Sequence, residues 1–162
     1  MPPLSLELPD AEATLRAGAL LGEALVPGMV VTLAGDLGAG KTTFARGVLR
    51  GLGWTGPVKS PTYALVEHYP FSNLYLYHFD FYRIEDDDEW EDAGIAECFR
   101  DDSVCLVEWP ERVAERLPPA DVAIRLLHSH SGGPGRRLDA VATTDSGERC
   151  LTAIARGMAS EA

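Results

Sequence analysis

The residues best suited to chemistry lie in Gly35-Asp-Leu-Gly-Ala-Gly-Lys-Thr42, which fits the spacing G-x-x-x-x-G-K-[ST]. That chemistry is the holding of a nucleoside triphosphate. Glycines without a Cβ let backbone N–H groups turn inward onto phosphate oxygens. In such a loop Lys41 reaches the β- and γ-phosphates and the Thr42 hydroxyl ligates Mg²⁺. The fixed positions recur by chance in roughly one chain of this length per two hundred. The flanking sequence therefore decides the matter.

Two carboxylates come next. Asp80 closes the run Leu74–Phe79, and Glu108 closes Val104–Val107. In α/β sheets ligands sit beyond the carboxyl ends of strands, where a phosphate loop also lies. An acid there holds Mg²⁺, directly or through water, or positions the attacking water in phosphoryl transfer. Ser60-Pro61-Thr62 follows the loop at the distance of a switch segment, where the Thr62 hydroxyl could sense γ-phosphate or metal, although on composition alone it is simply a loop tripeptide. His78 stands at a strand end, able to contact nucleotide, to orient Asp80 or to serve as a packed or hydrogen-bonded structural histidine. Trp54, Trp90 and Trp109 are stacking candidates or core residues.

The elements that must position these groups are readable. Met29–Ala34 is apolar and β-branched, a buried strand that runs into the loop. Thr43–Leu52 carries apolar residues at helical spacing and places a helix N-terminus at the phosphates. Leu4–Leu8 alternates as a strand, and Asp10 caps a helix running to about Leu25. Gly18 and Gly22 fit that helix only if they mark a close packing contact. Residues 58–69 pass from loop into strand, and Pro70–Asn73 reverses the chain into Leu74–Phe79 as a hairpin partner. The acidic run 85–92 reads as a loop or an exposed helix start and leads into a helix expected near Ala93–Arg100. Val104–Val107 is a buried parallel strand. A short helix is expected over Glu111–Leu117, a strand pair over Val122–Leu127 and Arg136–Thr143, and a last helix over Gly147–Met158. The sum is an α/β chain, three-layer and P-loop-like, with a mostly parallel sheet and antiparallel additions, in a single domain spanning 1–162.

Composition narrows the classes. With 162 residues of which 46% are apolar, the chain can bury a sizeable core. A formal charge of −11 disfavours a large nucleic-acid surface, so no strong direct nucleic-acid binding is expected. Cys98, Cys105 and Cys150 are an odd set without metal-ligand spacing and read as reduced, mostly buried thiols. Met1–Leu8 lacks the basic start and apolar core of a secretory signal. Ala17–Val26 is too short to span a bilayer. These features predict a cytoplasmic protein with no membrane partner.

Gly35–Thr43, Ser60–Tyr63 (SPTY), His78–Ile84 (HFDFYRI) and Val107–Glu111 (VEWPE) together resemble the TsaE family of small bacterial P-loop ATPases. The resemblance runs from the first strand to Glu111 and is weak beyond it. It implies ATP and Mg²⁺ as ligands, held by Gly35, Asp36, Leu37, Gly38, Ala39, Gly40, Lys41, Thr42, Thr43 and Thr62. It implies Thr42 and Asp80 at the metal, with Glu108 as the essential acid, water-activating or metal-associated. Lys41, Asp80 and Glu108 would form the catalytic set. It further implies a role in making tRNA threonylcarbamoyladenosine, with ATP hydrolysed on a TsaD-like transferase and its TsaB-like partner to reset them between turnovers. Tyr63 stands where the family often has Phe, and Phe81 and Ile84 where Leu is common, all apolar exchanges. A small-molecule or nucleoside kinase shares the loop, but the chain has no Arg-rich lid. A non-hydrolysing, ATP-gated adaptor is the remaining alternative.

Overall fold

A computed structural model describes residues 3–61, 64–130 and 133–160. The chain forms one seven-stranded sheet in the order β1-β7-β6-β2-β5-β4-β3. The strands are β1 (Leu4–Leu8), β2 (Val30–Ala34), β3 (Val66–Pro70), β4 (Tyr75–Asp80), β5 (Ser103–Glu108), β6 (Val122–His128) and β7 (Arg136–Ala142). The centre, β6-β2-β5-β4, is parallel, and the pairings β3–β4, β6–β7 and β1–β7 are antiparallel. Five strands thus point one way, and β3 and β7 run against them.

Helices α1 (Ala11–Ala24), α2 (Lys41–Gly51) and α4 (Asp145–Ala159) pack over one face. Leu33, Leu76, Val104, Leu106, Ile124 and Leu138 of the strands meet Leu21, Phe44, Val48 and Leu151 of the helices there. The four glycines Gly18 and Gly22 of α1 and Gly47 and Gly51 of α2 line the crossing of these helices. A methyl at any of them would strike a backbone carbonyl of the opposite helix. The glycines in α1 therefore do mark a close contact, and they let α2 lie tight against it.

The opposite face is covered less fully. Phe79 of β4 and Cys105 and Val107 of β5 pack with Phe81, Trp90, Ile95 and Val113. Beyond them the sheet opens: Val141 of β7 is 46% exposed. The third layer thus lies mainly over β4 and β5, with Val66 of β3 packed at its edge. It also differs from the expected helices. Over 93–100 there is no α-helix; α3 (Asp87–Asp92) forms earlier, capped by the Asp86 carboxylate on the Glu89 N–H at 3.0 Å. Acidic residues favour the positive start of a helix, so of the two readings of the acidic run, loop or helix start, the second holds. Gly94 then adopts φ 65 and ends it, leaving a 3₁₀ turn over Ile95–Cys98. The short helix expected over Glu111–Leu117 is likewise a 3₁₀ turn, Pro110–Arg112. Val113 leaves helical geometry to enter the small core at 6% exposure. Among the described residues no helix is long and apolar enough to cross a membrane.

Candidate functional site

The glycine loop joins the end of β2 to the start of α2. Gly38 and Gly40 take φ of 79 and 103, and a Cβ on Gly35 would run into the Leu126 carbonyl. Glycine is therefore required by conformation at Gly38 and Gly40, and by both conformation (φ 147) and space at Gly35. Asp10, Asp86 and Thr144 cap α1, α3 and α4 with side chains, whereas Gly40 offers α2 no side-chain acceptor. The first-turn N–H groups of α2 face the loop, the arrangement that receives an anion.

The sheet prepares the other side. Strand periodicity puts Leu76, His78 and Asp80 of β4 on the same face as Val104, Leu106 and Glu108 of β5. That face is apolar under the helices and becomes polar at the carboxyl ends of the strands. Asp80 lies opposite Glu108 in register, and Leu33, one residue from the end of β2, also pairs with Glu108. Both carboxylates are buried, and Asp80 Oδ1 accepts from the Tyr82 N–H at 2.9 Å.

Lys41 is buried at the centre of these groups. Its Nζ donates to the Gly35 carbonyl at 2.5 Å and stands 3.7 Å above the centre of the Trp109 ring. Burial pushes its pKa below the ordinary 10.5, while Glu108 and Asp80, then Glu111 and Asp36, pull it back up. Trp109 holds φ 57, a left-handed conformation costly for a non-glycine residue, and packs on Tyr82 at 4.8 Å. The tryptophan thus meets the lysine ammonium, a cation–π contact. A cleft of about 470 Å³ beside it is lined by Gly35, Asp36, Trp109, Glu111 and His128.

Of the residues singled out by sequence, Asp36, Leu37 and Gly38 form the exposed rim of the loop, Ala39 is buried, Thr42 is exposed and Thr43 half-buried. Thr62 lies outside the described residues. Of the readings open for His78, the structure shows a buried, hydrogen-bonded histidine: its Nε2 lies 2.6 Å from Glu108 Oε2, with both side chains buried. The two residues lie on the same face of adjacent parallel strands, two positions apart in register. Arg136 of β7 reaches the loop. Its guanidinium donates to the carbonyls of Gly38 at 3.0 Å and Gly135 at 2.8 Å. No local motif marks it, since it arrives through the β6–β7 hairpin.

The fold and site define an α/β protein in which a strand–glycine loop–helix unit faces two strand-end carboxylates. The family model described as threonylcarbamoyl adenosine biosynthesis protein TsaE matches residues 8–138. The chain is 40% identical over 159 residues to the Haemophilus influenzae tRNA threonylcarbamoyladenosine biosynthesis protein TsaE, covering 95% of this chain and 99% of that protein. It is 48% identical over 109 residues to the Bacillus subtilis protein of that name, covering 67% of this chain and 68% of that one. The crystal structure of Bacillus subtilis YdiB superposes with a TM-score of 0.77 at 33% identity, over 96% of this chain and 95% of that one. The chain belongs to the TsaE family.

Proposed function

We propose that this protein is an ATPase of tRNA threonylcarbamoyladenosine biosynthesis. It binds ATP in the Gly35–Thr43 loop and hydrolyses it while docked on a TsaD-like transferase and its TsaB-like partner, resetting them between turnovers. The observation that carries the reading is the convergence of Lys41, Asp80 and Glu108 beneath the uncapped start of α2. The residues present fit a magnesium nucleotide: open backbone donors, a buried ammonium, an exposed Thr42 hydroxyl and two buried carboxylates. Thr42 and Asp80 would hold Mg²⁺, which would neutralise charge on the phosphates and leave Glu108 to act on water.

Lys41 gives up its bonds to the Gly35 carbonyl and the Trp109 face to bind β- and γ-phosphate oxygens. Its buried charge is worth more there than in water, where solvent screens it. Glu108 aligns a water molecule and takes its proton as the water oxygen bonds to the γ-phosphorus. The bond from phosphorus to the bridging oxygen breaks, and ADP leaves with that oxygen's charge. The loop glycines and α2 provide position; the carboxylates provide the chemistry.

The test is phosphate release from ATP·Mg²⁺ by the purified chain, alone and with a TsaB–TsaD pair. Glu108→Gln should bind ATP with wild-type affinity and lose turnover by about 100-fold or more, the scale of removing a general base. Turnover that the pair leaves unchanged would sink the partner-dependent mechanism. Transfer of phosphate to an added acceptor would favour a kinase.

A further inference from the structure

His78 is buried at 2% exposure, and among the described residues its side-chain hydrogen bond is with Glu108. We propose that His78 is a positioning residue for Glu108, donating from Nε2 to Oε2 so that the carboxylate presents its other oxygen to water. The proposal rests on the reading of Glu108 as the acid that works on water.

The tautomer follows from the surroundings. A neutral imidazole carries one N–H, and an imidazolium carries two. Nδ1 of His78 is buried and has no hydrogen-bond partner among the described residues. A proton on Nδ1 would be stranded, whereas a lone pair there is tolerated at small cost. The proton therefore sits on Nε2, and Glu108 Oε2 accepts it at 2.6 Å. The bond is short and shielded from solvent, which makes it directional.

The consequence is a fixed rotamer. Glu108 is the last residue of β5, next to a tryptophan in left-handed geometry where the strand gives way to the Pro110–Arg112 turn. His78 restrains the Glu108 side chain from the adjacent strand, two residues before Asp80. With one oxygen held, Glu108 keeps the other free for water in a single orientation. Misalignment of a base by an ångström is enough to cost most of its effect.

The experiment compares H78Q, H78N and H78F in the full chain, with and without the TsaB–TsaD pair, measuring phosphate release, ATP affinity and thermal unfolding. Glutamine places its amide nitrogen where imidazole has Nε2, whereas asparagine places it near Nδ1. H78N and H78F should lose about 10- to 100-fold in turnover with ATP affinity unchanged, and H78Q should recover most of that loss. The double variant H78N/E108Q should be no slower than E108Q, because His78 acts through Glu108. Wild-type turnover in H78N, no recovery in H78Q, or a further loss in the double variant would overturn the proposal. If H78N fails to fold, the gap between H78Q and H78F reads the same bond. Full turnover in E108Q, or none in the wild type under either condition, would remove the Glu108 reading itself and the proposal with it.

Discussion

At the scale of single residues, Lys41 decides how the site meets its ligand. Desolvation holds its pKa below 10.5 in the free protein, against the pull of Glu108 and Asp80. A polyphosphate brought against Nζ stabilises the ammonium and raises the pKa again. In alkaline buffer, above the free-protein value and below the liganded one, part of Lys41 is neutral before binding and charged after it. ATP binding should therefore take up protons in that window, and the uptake should fade at neutral pH, where Lys41 is protonated in both states. Calorimetry in two buffers of different ionisation enthalpy measures this directly. The same heats in both alkaline buffers would show that Lys41 does not change its protonation. Lys41→Arg, which keeps its charge at any of these pH values, should abolish the uptake whatever its affinity.

At the scale of elements, the crossing of α1 and α2 fixes where the loop ends. Because Gly47 faces the Leu15 carbonyl without room for a methyl, Gly47→Ala must push the helices apart. The gain in helix propensity is smaller than the clash, so the substitution should destabilise the fold by about 1–3 kcal/mol in urea unfolding. Unchanged stability would mean that the crossing is looser than the glycines indicate. This contact was legible in the sequence only as a condition, glycines out of place in a helix, because the partner glycines lie some thirty residues on in another helix. The strands and the loop were legible because each carries its pattern locally: β-branched runs, alternating residues, and glycines at fixed offsets. The short elements over β4 and β5 were not, since Gly94 and Val113 override the helical spacing around them by backbone conformation and by burial. The candidate site divides in the same way. Lys41, Asp80 and Glu108 stand out by motif and strand-end position, while the His78–Glu108 bond and the Arg136 reach to Gly38 depend on strand order and register.

At the scale of the whole molecule, one sheet separates two hydrophobic clusters, and β5 contributes to both. Val104 and Leu106 face the larger cluster, which contains Cys150, and Cys105 and Val107 face the smaller one. Losing either cluster removes a face of the strand that also supports the other, so the two should unfold together. The thiols report on each side. Burial pushes Cys105 up to about 12 and Cys150 up to about 11, so neither forms the reactive thiolate in the native state near neutral pH. Cys98, half-buried beside Cys105, is also raised by burial. Brief pulses of a thiol reagent across a urea series, mapped by mass spectrometry, should label Cys105 and Cys150 at one shared midpoint. Labelling of Cys105 at clearly lower urea would show that the thin layer of α3 and the Ile95–Cys98 turn opens by itself. That outcome would make the small cluster a separate, weaker unit lying beneath the residues that follow Asp80. A shared midpoint would instead tie the geometry of Asp80 and Glu108 to the stability of the entire sheet, so that substitutions far from the site weaken it through unfolding alone.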